Sequence, residues 1–169
     1  MELPKRKPIR LSDYDYSSSG AYFVTICTHD RQCILSRVSV GADALGGPNL
    51  QLTDTGIVVE QHILSTDHIP GFHVDKYVVM PNHIHMILRI DSEAASHDNG
   101  PPRTPSPTVS DAVGALKRLV NRRLGHNIWQ RSFHEHVIRN EHDYREIWDY
   151  IDQNPAKLAE DRYYEDLSM

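Results

Sequence analysis

Two histidines separated by a single residue provide the clearest potential for chemistry in this chain. They lie in the stretch Tyr77–Ile90, Tyr-Val-Val-Met-Pro-Asn-His-Ile-His-Met-Ile-Leu-Arg-Ile, which predicts a β-strand interrupted once at Pro81. Side chains alternate between the two faces of a strand, so His83 and His85 are expected to point the same way. Two neutral imidazoles on a rigid strand can supply two ligands of a divalent metal, and a third must come from another element.

The last predicted helix carries a second group of candidates. Asn140 caps it, with Asp143 at the third position, and Pro155 ends it after Asn154. At about 100° per residue, its apolar side chains form one stripe that predicts the buried face, with Tyr144 as a core residue: Tyr144, Ile147, Trp148 and Ile151. Tyr150 lies roughly 120° from the middle of that stripe, one turn before Asn154. A phenol and a carboxamide are therefore neighbours off the buried face.

Composition limits the class of protein. The 169 residues (19.3 kDa) are 39% hydrophobic and 24% charged, which predicts one globular domain over residues 1–169. No apolar run approaches the roughly 20 residues of a membrane span, and the first residues contain no apolar signal sequence. The two cysteines, Cys27 and Cys33, do not form a disulfide framework, so a cytoplasmic location is expected.

Charge is distributed unevenly along the chain. The net charge of -5 conceals a basic N-terminal arm and a basic middle, followed by a predominantly acidic C-terminal part with an acidic tail at about 156–169. Residues 91–107 are rich in Ser, Asp, Gly and Pro and predict a mobile loop. The basic runs can be a solvated surface, or they can follow the phosphates of a nucleic acid.

The order of predicted elements indicates the fold. The expected strands are 21–28, 73–80 and 83–90, a second strand could begin within 31–35, and residues 129–138 are strand-like. Residues 36–52 are expected to form a glycine-rich turn region. Helices are expected from Thr53 or Thr55 to about Ser65, and from Thr108, in a capping box with Asp111, to Gly125. Alternating strands and helices predict an α+β fold, an α/β sandwich with helices packed on a mostly antiparallel central sheet.

Three separate stretches occur in an order that is similar to one family: Pro81–His85, Trp129–Glu141 and Asp149–Pro155. They resemble the HUH single-tyrosine transposases, and most closely the REP-associated tyrosine transposases, named for repetitive extragenic palindromes. The stretches 10–17 and 20–28 also fit, so the resemblance runs from about residue 10 to residue 155. It implies a ferredoxin-like domain that acts on single-stranded DNA with hairpin structure.

The resemblance also implies roles for individual residues. His83 and His85 correspond to the HUH histidines, Tyr150 rather than Tyr144 to the nucleophile, and Asn154 to the third metal ligand. Two imidazoles and an amide oxygen suit Mg²⁺ or Mn²⁺. Attack by Tyr150 on phosphorus would give a 5′-phosphotyrosine and a free 3′-hydroxyl, and a second 3′-hydroxyl could then rejoin the strand without ATP. The basic residues expected to bind DNA are Lys5, Arg6, Arg10, Arg118, Arg122, Arg131 and Arg139.

Other interpretations remain open at this point. A second H-x-H pair, His134 and His136, is expected at the surface or in a supporting role. His83 and His85 could instead bind zinc together with a cysteine, or the domain could bind nucleic acid without cleaving it. A homodimer is also compatible with the resemblance, and it could place Tyr150 of one chain against the histidines of another.

Overall fold

A computed structural model describes residues 19–40, 48–91 and 108–160. The predicted DNA-binding residues Lys5, Arg6 and Arg10 lie outside these ranges. So do the predicted loop beyond Asp91 and residues 161–169 of the predicted acidic tail.

Helices and a central antiparallel sheet form an α+β sandwich, as predicted. The elements are β1 (Gly20–Cys27), β2 (Ser36–Val40), β3 (Pro48–Leu52), α1 (Asp54–Ser65), β4 (Phe72–Val79), β5 (His83–Ile90), α2 (Val109–Leu124), β6 (His134–Ile138) and α3 (Glu141–Gln153). Four strands form the sheet in the order β4-β5-β1-β6, and β2 pairs with β3 in a separate hairpin. The units β1-α1-β4 and β5-α2-β6 interleave, which is the ferredoxin-like arrangement implied by the resemblance.

The predicted helix ends are confirmed by their hydrogen bonds. Thr53 Oγ1 accepts from the Gly56 amide at 3.1 Å at the start of α1. Thr108 caps α2 through a capping box with Asp111, and Gly125, at φ 81°, ends that helix. Asn140 caps α3. These short-range signals require no tertiary contact, so the sequence displays them directly.

The two faces of the sheet have different functions in the fold. Alternate residues of β1 and β5 pack with apolar residues of α1 and α2 in one buried core, which includes Tyr22, Val24, Ile26, Ile84, Met86, Leu88, Val59, Ile63, Val113 and Leu116. The intervening residues, including Thr25 and His85, point to the other face. The last helix, α3, contacts that second face, because the Tyr150 and His85 rings are 5.4 Å apart.

Three predictions of local structure were wrong in detail. Pro81 does not interrupt a single strand but lies in a tight turn, closed by the Met80 amide and the His83 carbonyl at 2.9 Å, so β4 and β5 run antiparallel. The predicted turn region 36–52 contains the β2–β3 hairpin. The strand predicted to begin within 31–35 begins only at Ser36, after a short 3-10 turn at His29–Arg31. The strand-like stretch 129–138 forms a strand only from His134 onward.

Pro155 ends α3 as predicted, because it has no amide hydrogen for the next helical hydrogen bond. The chain continues as a 3-10 turn over Asn154–Glu160. No helix within residues 19–40, 48–91 or 108–160 is long and apolar enough to cross a membrane.

Candidate active site

The two histidines of β5 are fully buried and their rings converge. His83 and His85 are both 0% exposed, and their Nε2 atoms are 3.0 Å apart. The antiparallel register places Cys27 opposite His83 and Thr25 opposite His85 on β1. The predicted common orientation of the two side chains is therefore observed, and it results from strand alternation.

The other nitrogen of each ring has its own buried partner. His83 Nδ1 lies 2.7 Å from Asn82 Oδ1, and His85 Nδ1 lies 2.8 Å from Thr25 Oγ1. An amide oxygen only accepts, so His83 Nδ1 carries the proton and neutral His83 presents a lone pair at Nε2. When His85 Nδ1 donates to the threonine hydroxyl, His85 Nε2 presents a lone pair as well.

The spacing of the two Nε2 atoms fits two ligands of one six-coordinate divalent ion. Two donors about 2.1 Å from such an ion and at right angles to each other lie about 3.0 Å apart, which equals the Nε2–Nε2 distance of 3.0 Å. Asn154 is 2% exposed, and its Oδ1 is buried without a hydrogen-bond partner among the described residues. A buried carbonyl oxygen without a donor costs about 1–3 kcal/mol, so this oxygen can accept a cation.

The alternative zinc site is not formed. Across the described ranges, no three side chains drawn from His, Cys, Asp and Glu are grouped so that they could hold a metal ion. Both cysteines lie within those ranges, Cys27 buried and Cys33 exposed. The carboxamide of Asn154, which the resemblance implies as the third ligand, does not belong to these four residue types.

Tyr150 lies next to the histidines at an open surface. Its hydroxyl is 3.5 Å from His85 Nε2, and its ring contacts Phe23 edge-on at 5.9 Å. The side chain is 40% exposed, unlike the histidines beneath it. Tyr150 thus lies off the buried stripe of α3, as predicted, and one chain supplies both the tyrosine and the histidines.

Tyr144, the other tyrosine of α3, has a different environment. Its hydroxyl donates to Asp75 Oδ2 at 3.0 Å. Burial, followed by the negative charge of Asp75, raises the pKa of Tyr144 to about 12. The residue is half-buried rather than a full core residue, and its phenolate is disfavoured.

Polar contacts hold α3 against β4. Lys76 Nζ is 2.6 Å from Asp152 Oδ1 and lies 4.8 Å from the ring centre of Trp148. Within α3 itself only Ile151 is buried. The helix that carries Tyr150 is therefore positioned by a few specific contacts in addition to a small apolar stripe.

The second H-x-H pair is on the same face of the sheet but has other partners. The register pairs His134 with Thr25 and His136 with Phe23, and both histidines are exposed. His136 Nε2 is 3.0 Å from Asp143 Oδ2. The two H-x-H pairs thus have the same spacing in the sequence, but His83 and His85 are buried whereas His134 and His136 are exposed.

The four predicted DNA-binding arginines in the described residues are all exposed. Arg118 and Arg122 are on the outward side of α2, so the sheet separates them from His83 and His85. Arg131 and Arg139 flank β6, and Arg139 is close to the start of α3. The structure thus brings the tyrosine and histidines together, whereas two of the arginines lie on the opposite side of the sheet.

Two residues at the site were not singled out from the sequence. Asn82 precedes His83 directly, and a carboxamide beside a candidate ligand is a signal that could have identified it. Thr25 lies 60 positions before His85, and only the pairing of β1 with β5 brings them together. No local pattern could have revealed that contact.

Comparisons with known proteins show what this chain is similar to. No family model matches the chain. An uncharacterized protein of Haemophilus influenzae is 31% identical over 95% of this chain and 94% of its own length. A REP-associated tyrosine transposase of Escherichia coli is 26% identical over 84% of this chain and 70% of its own length. A solved structure of a REP-associated tyrosine transposase bound to a REP hairpin is 25% identical, with a TM-score of 0.58, and covers 94% of this chain and 74% of that chain.

Proposed function

The chain belongs to the REP-associated tyrosine transposases, and on this premise we propose that it nicks and rejoins single-stranded DNA at hairpin-associated sites. The single observation that carries the proposal is the hydroxyl of Tyr150, which lies 3.5 Å from the buried His85 Nε2 on a side chain that is 40% exposed. The hairpin bound by the structurally similar transposase supports a hairpin as the DNA partner.

In the proposed reaction Tyr150 is the nucleophile. Its phenolic oxygen forms a bond to phosphorus while the bond from phosphorus to the 3′ oxygen breaks, which leaves a 5′-phosphotyrosine and a free 3′-hydroxyl. The phenol loses its proton and the leaving oxygen gains one, so protons and bonds balance. Because one ester replaces another, attack by a 3′-hydroxyl on the phosphotyrosine rejoins the strand without ATP.

His83 Nε2, His85 Nε2 and Asn154 Oδ1 are the proposed ligands of a divalent ion, Mg²⁺ or Mn²⁺. When bound, such an ion supplies positive charge that neutralises the scissile phosphate and favours the phenolate over the phenol, whose unperturbed pKa is about 10. Asn82 and Thr25 hold the two imidazoles with Nε2 directed into the site. Burial of all four side chains keeps these orientations fixed.

The DNA backbone is proposed to follow the open half of the face that carries His85. On that side α3 leaves His134 and His136 exposed, and Arg131 and Arg139 flank their strand. Arginines at this position can neutralise phosphates without reading sequence. For Arg118 and Arg122, on the other side of the sheet, and for Lys5, Arg6 and Arg10, DNA binding remains a prediction.

Covalent capture of DNA tests the proposal. A single-stranded hairpin oligonucleotide labelled at its 3′ end is incubated with the protein and Mg²⁺ or Mn²⁺, then resolved under denaturing conditions. We expect a labelled protein adduct that requires the ion, is lost in Tyr150→Phe and persists in Tyr144→Phe. An adduct that survives in Tyr150→Phe would refute the nucleophile, and hairpin binding without any adduct would favour a non-catalytic binding module.

A further inference from the structure

The edge strand β4 contains one irregularity, at Asp75. The register pairs Val74 with Leu88 and Lys76 with Ile87, so Asp75 is an extra residue with no counterpart in the register of β5. This is a β-bulge, in which two residues of one strand lie opposite a single residue of its neighbour. Bulges redirect side chains and are frequent beside active sites. The bulge therefore changes which side chains of β4 reach the face of the sheet that carries α3.

Two consecutive residues of β4 consequently point to the same face, whereas in a regular strand they would point to opposite faces. Residues that lie opposite each other in adjacent strands share a face. Lys76 therefore shares the face of Ile87, which is also the face of His85. Asp75 reaches that face as well, because its Oδ2 accepts a hydrogen bond from the Tyr144 hydroxyl of α3 at 3.0 Å. Without the extra residue, strand alternation would turn Lys76 toward the core that β4 forms with α1.

The first half of α3 is anchored at more than one point. Asp75, which accepts from Tyr144, is itself held by Arg89 of β5, whose Nε and Nη2 donate to the carboxylate at 3.2 Å and 3.1 Å. Near the start of the helix, Asp143 Oδ2 lies 3.0 Å from His136 Nε2 of β6. Two strands thus hold this half of the helix through separate contacts, so the loss of one of them leaves the other in place.

The second half of α3, which carries Tyr150, meets β4 at Lys76. The ammonium group of Lys76 lies 2.6 Å from Asp152 Oδ1 and 4.8 Å from the centre of the Trp148 ring. Trp148 and Asp152 precede and follow Tyr150 by two residues each, so one cation contacts the helix on both sides of the tyrosine. The Lys76 side chain is only 25% exposed, and a partly desolvated cation is attracted more strongly to an aromatic ring than an exposed one is.

Apolar packing contributes little to the position of this half of the helix. Among the described residues of α3 only Ile151 is buried, and the Tyr150 side chain is 40% exposed. An element with few buried apolar contacts has low local stability, so individual polar contacts decide its position. A displacement of about 1 Å at reacting atoms can lower a rate about 100-fold. The distance of 3.5 Å between the Tyr150 hydroxyl and His85 Nε2 therefore depends on what holds α3.

We propose that Lys76, turned toward α3 by the bulge of β4, is a positioning residue for the nucleophile. Through Trp148 and Asp152 it holds the second half of α3 against the sheet. The Tyr150 hydroxyl then stays beside His85 Nε2, where the proposed reaction requires it. This inference rests on the proposed function and adds to it a residue that acts through the helix rather than on the reacting atoms.

The rate of adduct formation in a single turnover tests this role. With the hairpin oligonucleotide and Mn²⁺ both saturating, Lys76→Met should form the adduct about tenfold more slowly than the wild type. Methionine keeps an apolar stem of similar length but loses the charge that both contacts need. Hairpin affinity, measured without metal, should change by less than about twofold. Lys76→Arg keeps a cation that can contact the same ring and carboxylate, so its rate should return to within about threefold of the wild-type rate.

Variants of the same helix serve as controls. Arg145→Met removes the ion pair between Arg145 Nε and Glu141 Oε1 at 2.9 Å, which lies within α3 and does not involve β4, so the rate should be retained. Asp152→Asn should slow the reaction less than Lys76→Met does. Combined with Lys76→Met it should cause no further loss, because the two side chains share one interaction. Urea unfolding confirms that each variant is folded under the assay conditions.

Fluorine NMR measures the position of the tyrosine without DNA or metal. A fluorotyrosine incorporated at position 150 reports on the rings of His85 and Phe23, whose centres lie 5.4 Å and 5.9 Å from the centre of the Tyr150 ring. Their ring currents should shift the fluorine resonance of the folded protein away from that of the unfolded protein. In Lys76→Met the resonance should move toward the unfolded value, whereas in Arg145→Met it should not move.

The outcomes distinguish this inference from the proposed function. An unchanged adduct rate or an unmoved fluorine resonance in Lys76→Met, or an equal loss of rate in Arg145→Met, would overturn the positioning role while the proposed reaction stands. A loss of hairpin affinity large enough to explain the slower reaction would also overturn it, because Lys76 would then bind DNA. If the wild type forms no adduct, the proposed reaction fails, and the fluorine resonance of Lys76→Met still decides whether Lys76 positions Tyr150.

Discussion

The two ends of α3 meet two strands that have the same H-x-H spacing but opposite environments. At the C-terminal end, Tyr150 contacts His85 of β5, where both histidines are 0% exposed. At the N-terminal end, Asp143 pairs with the exposed His136 of β6. Full burial fixes the orientation of His83 and His85, whose Nε2 atoms lie 3.0 Å apart, whereas His134 and His136 lie at the surface.

Removing one histidine from each strand is the strongest test of this difference. His83→Ala or His85→Ala should reduce the rate of covalent adduct formation by about 100-fold or more, because each removes a proposed metal ligand. His134→Ala and His136→Ala should change that rate by less than about threefold, as expected for exposed side chains. If the variants of β5 and of β6 reduced the rate of adduct formation to a similar extent, the assignment of the site to β5 would be contradicted. The rates are measured by denaturing electrophoresis at saturating Mn²⁺.

Asn154→Ala tests whether the C-terminal end of α3 completes the donor set. We expect Mn²⁺ binding, measured by titration calorimetry, to weaken by about 10- to 100-fold. Without metal, the melting temperature of Asn154→Ala should fall less than it would if the variant removed a hydrogen-bonded buried amide. The reason is that Asn154 Oδ1 accepts no hydrogen bond among the described residues. Gln153→Ala, at an exposed neighbouring position, is the control. Unchanged Mn²⁺ affinity in Asn154→Ala would exclude it as a ligand.

Thr25→Val tests the partner that orients His85 from the neighbouring strand. Valine has nearly the same shape but cannot accept the His85 Nδ1 proton, so we expect about tenfold weaker Mn²⁺ binding. Thr25→Ser keeps the hydroxyl and should bind Mn²⁺ almost as the wild type does. Equal affinities of the valine and serine variants would show that the 2.8 Å contact has no positioning role.

Tyr144→Phe should have the smallest effect and concerns stability alone. Loss of the hydrogen bond to Asp75 should lower the free energy of unfolding by about 1 kcal/mol at neutral pH. The folded pKa of Tyr144, about 12, exceeds the ordinary value of about 10. The contribution of the neutral Tyr144 hydroxyl to the free energy of unfolding is therefore complete below about pH 10 and is lost as the pH rises toward 12.

Urea unfolding at pH 8 and at pH 11 measures this difference. The stability gap between wild type and Tyr144→Phe should narrow at the higher pH, and adduct formation at pH 8 should not change. If the difference in unfolding free energy between wild type and Tyr144→Phe increased with pH, the folded protein would not favour the neutral form of Tyr144.

Local signals explain which parts of the fold were predictable. The caps Thr53, Thr108 and Asn140 were read correctly because each bonds within its own first turn. The β2–β3 hairpin was missed because its strands pair only with each other, outside the central sheet, and are separated by a glycine-rich segment. Pro81 was correctly located as an interruption, but the reversal of direction depends on pairing between β4 and β5.

The candidate site likewise has features that local sequence patterns predict and features that depend on tertiary contacts. The spacing of His83 and His85 and the angular offset of Tyr150 from the apolar stripe follow from the periods of a strand and a helix, so the sequence by itself determined them. Only the tertiary structure decided that α3 crosses β5 at Tyr150, that Thr25 faces His85, and that His83 and His85 rather than His134 and His136 are buried. These features depend on strand register and helix docking between residues far apart in the chain, which no local pattern records.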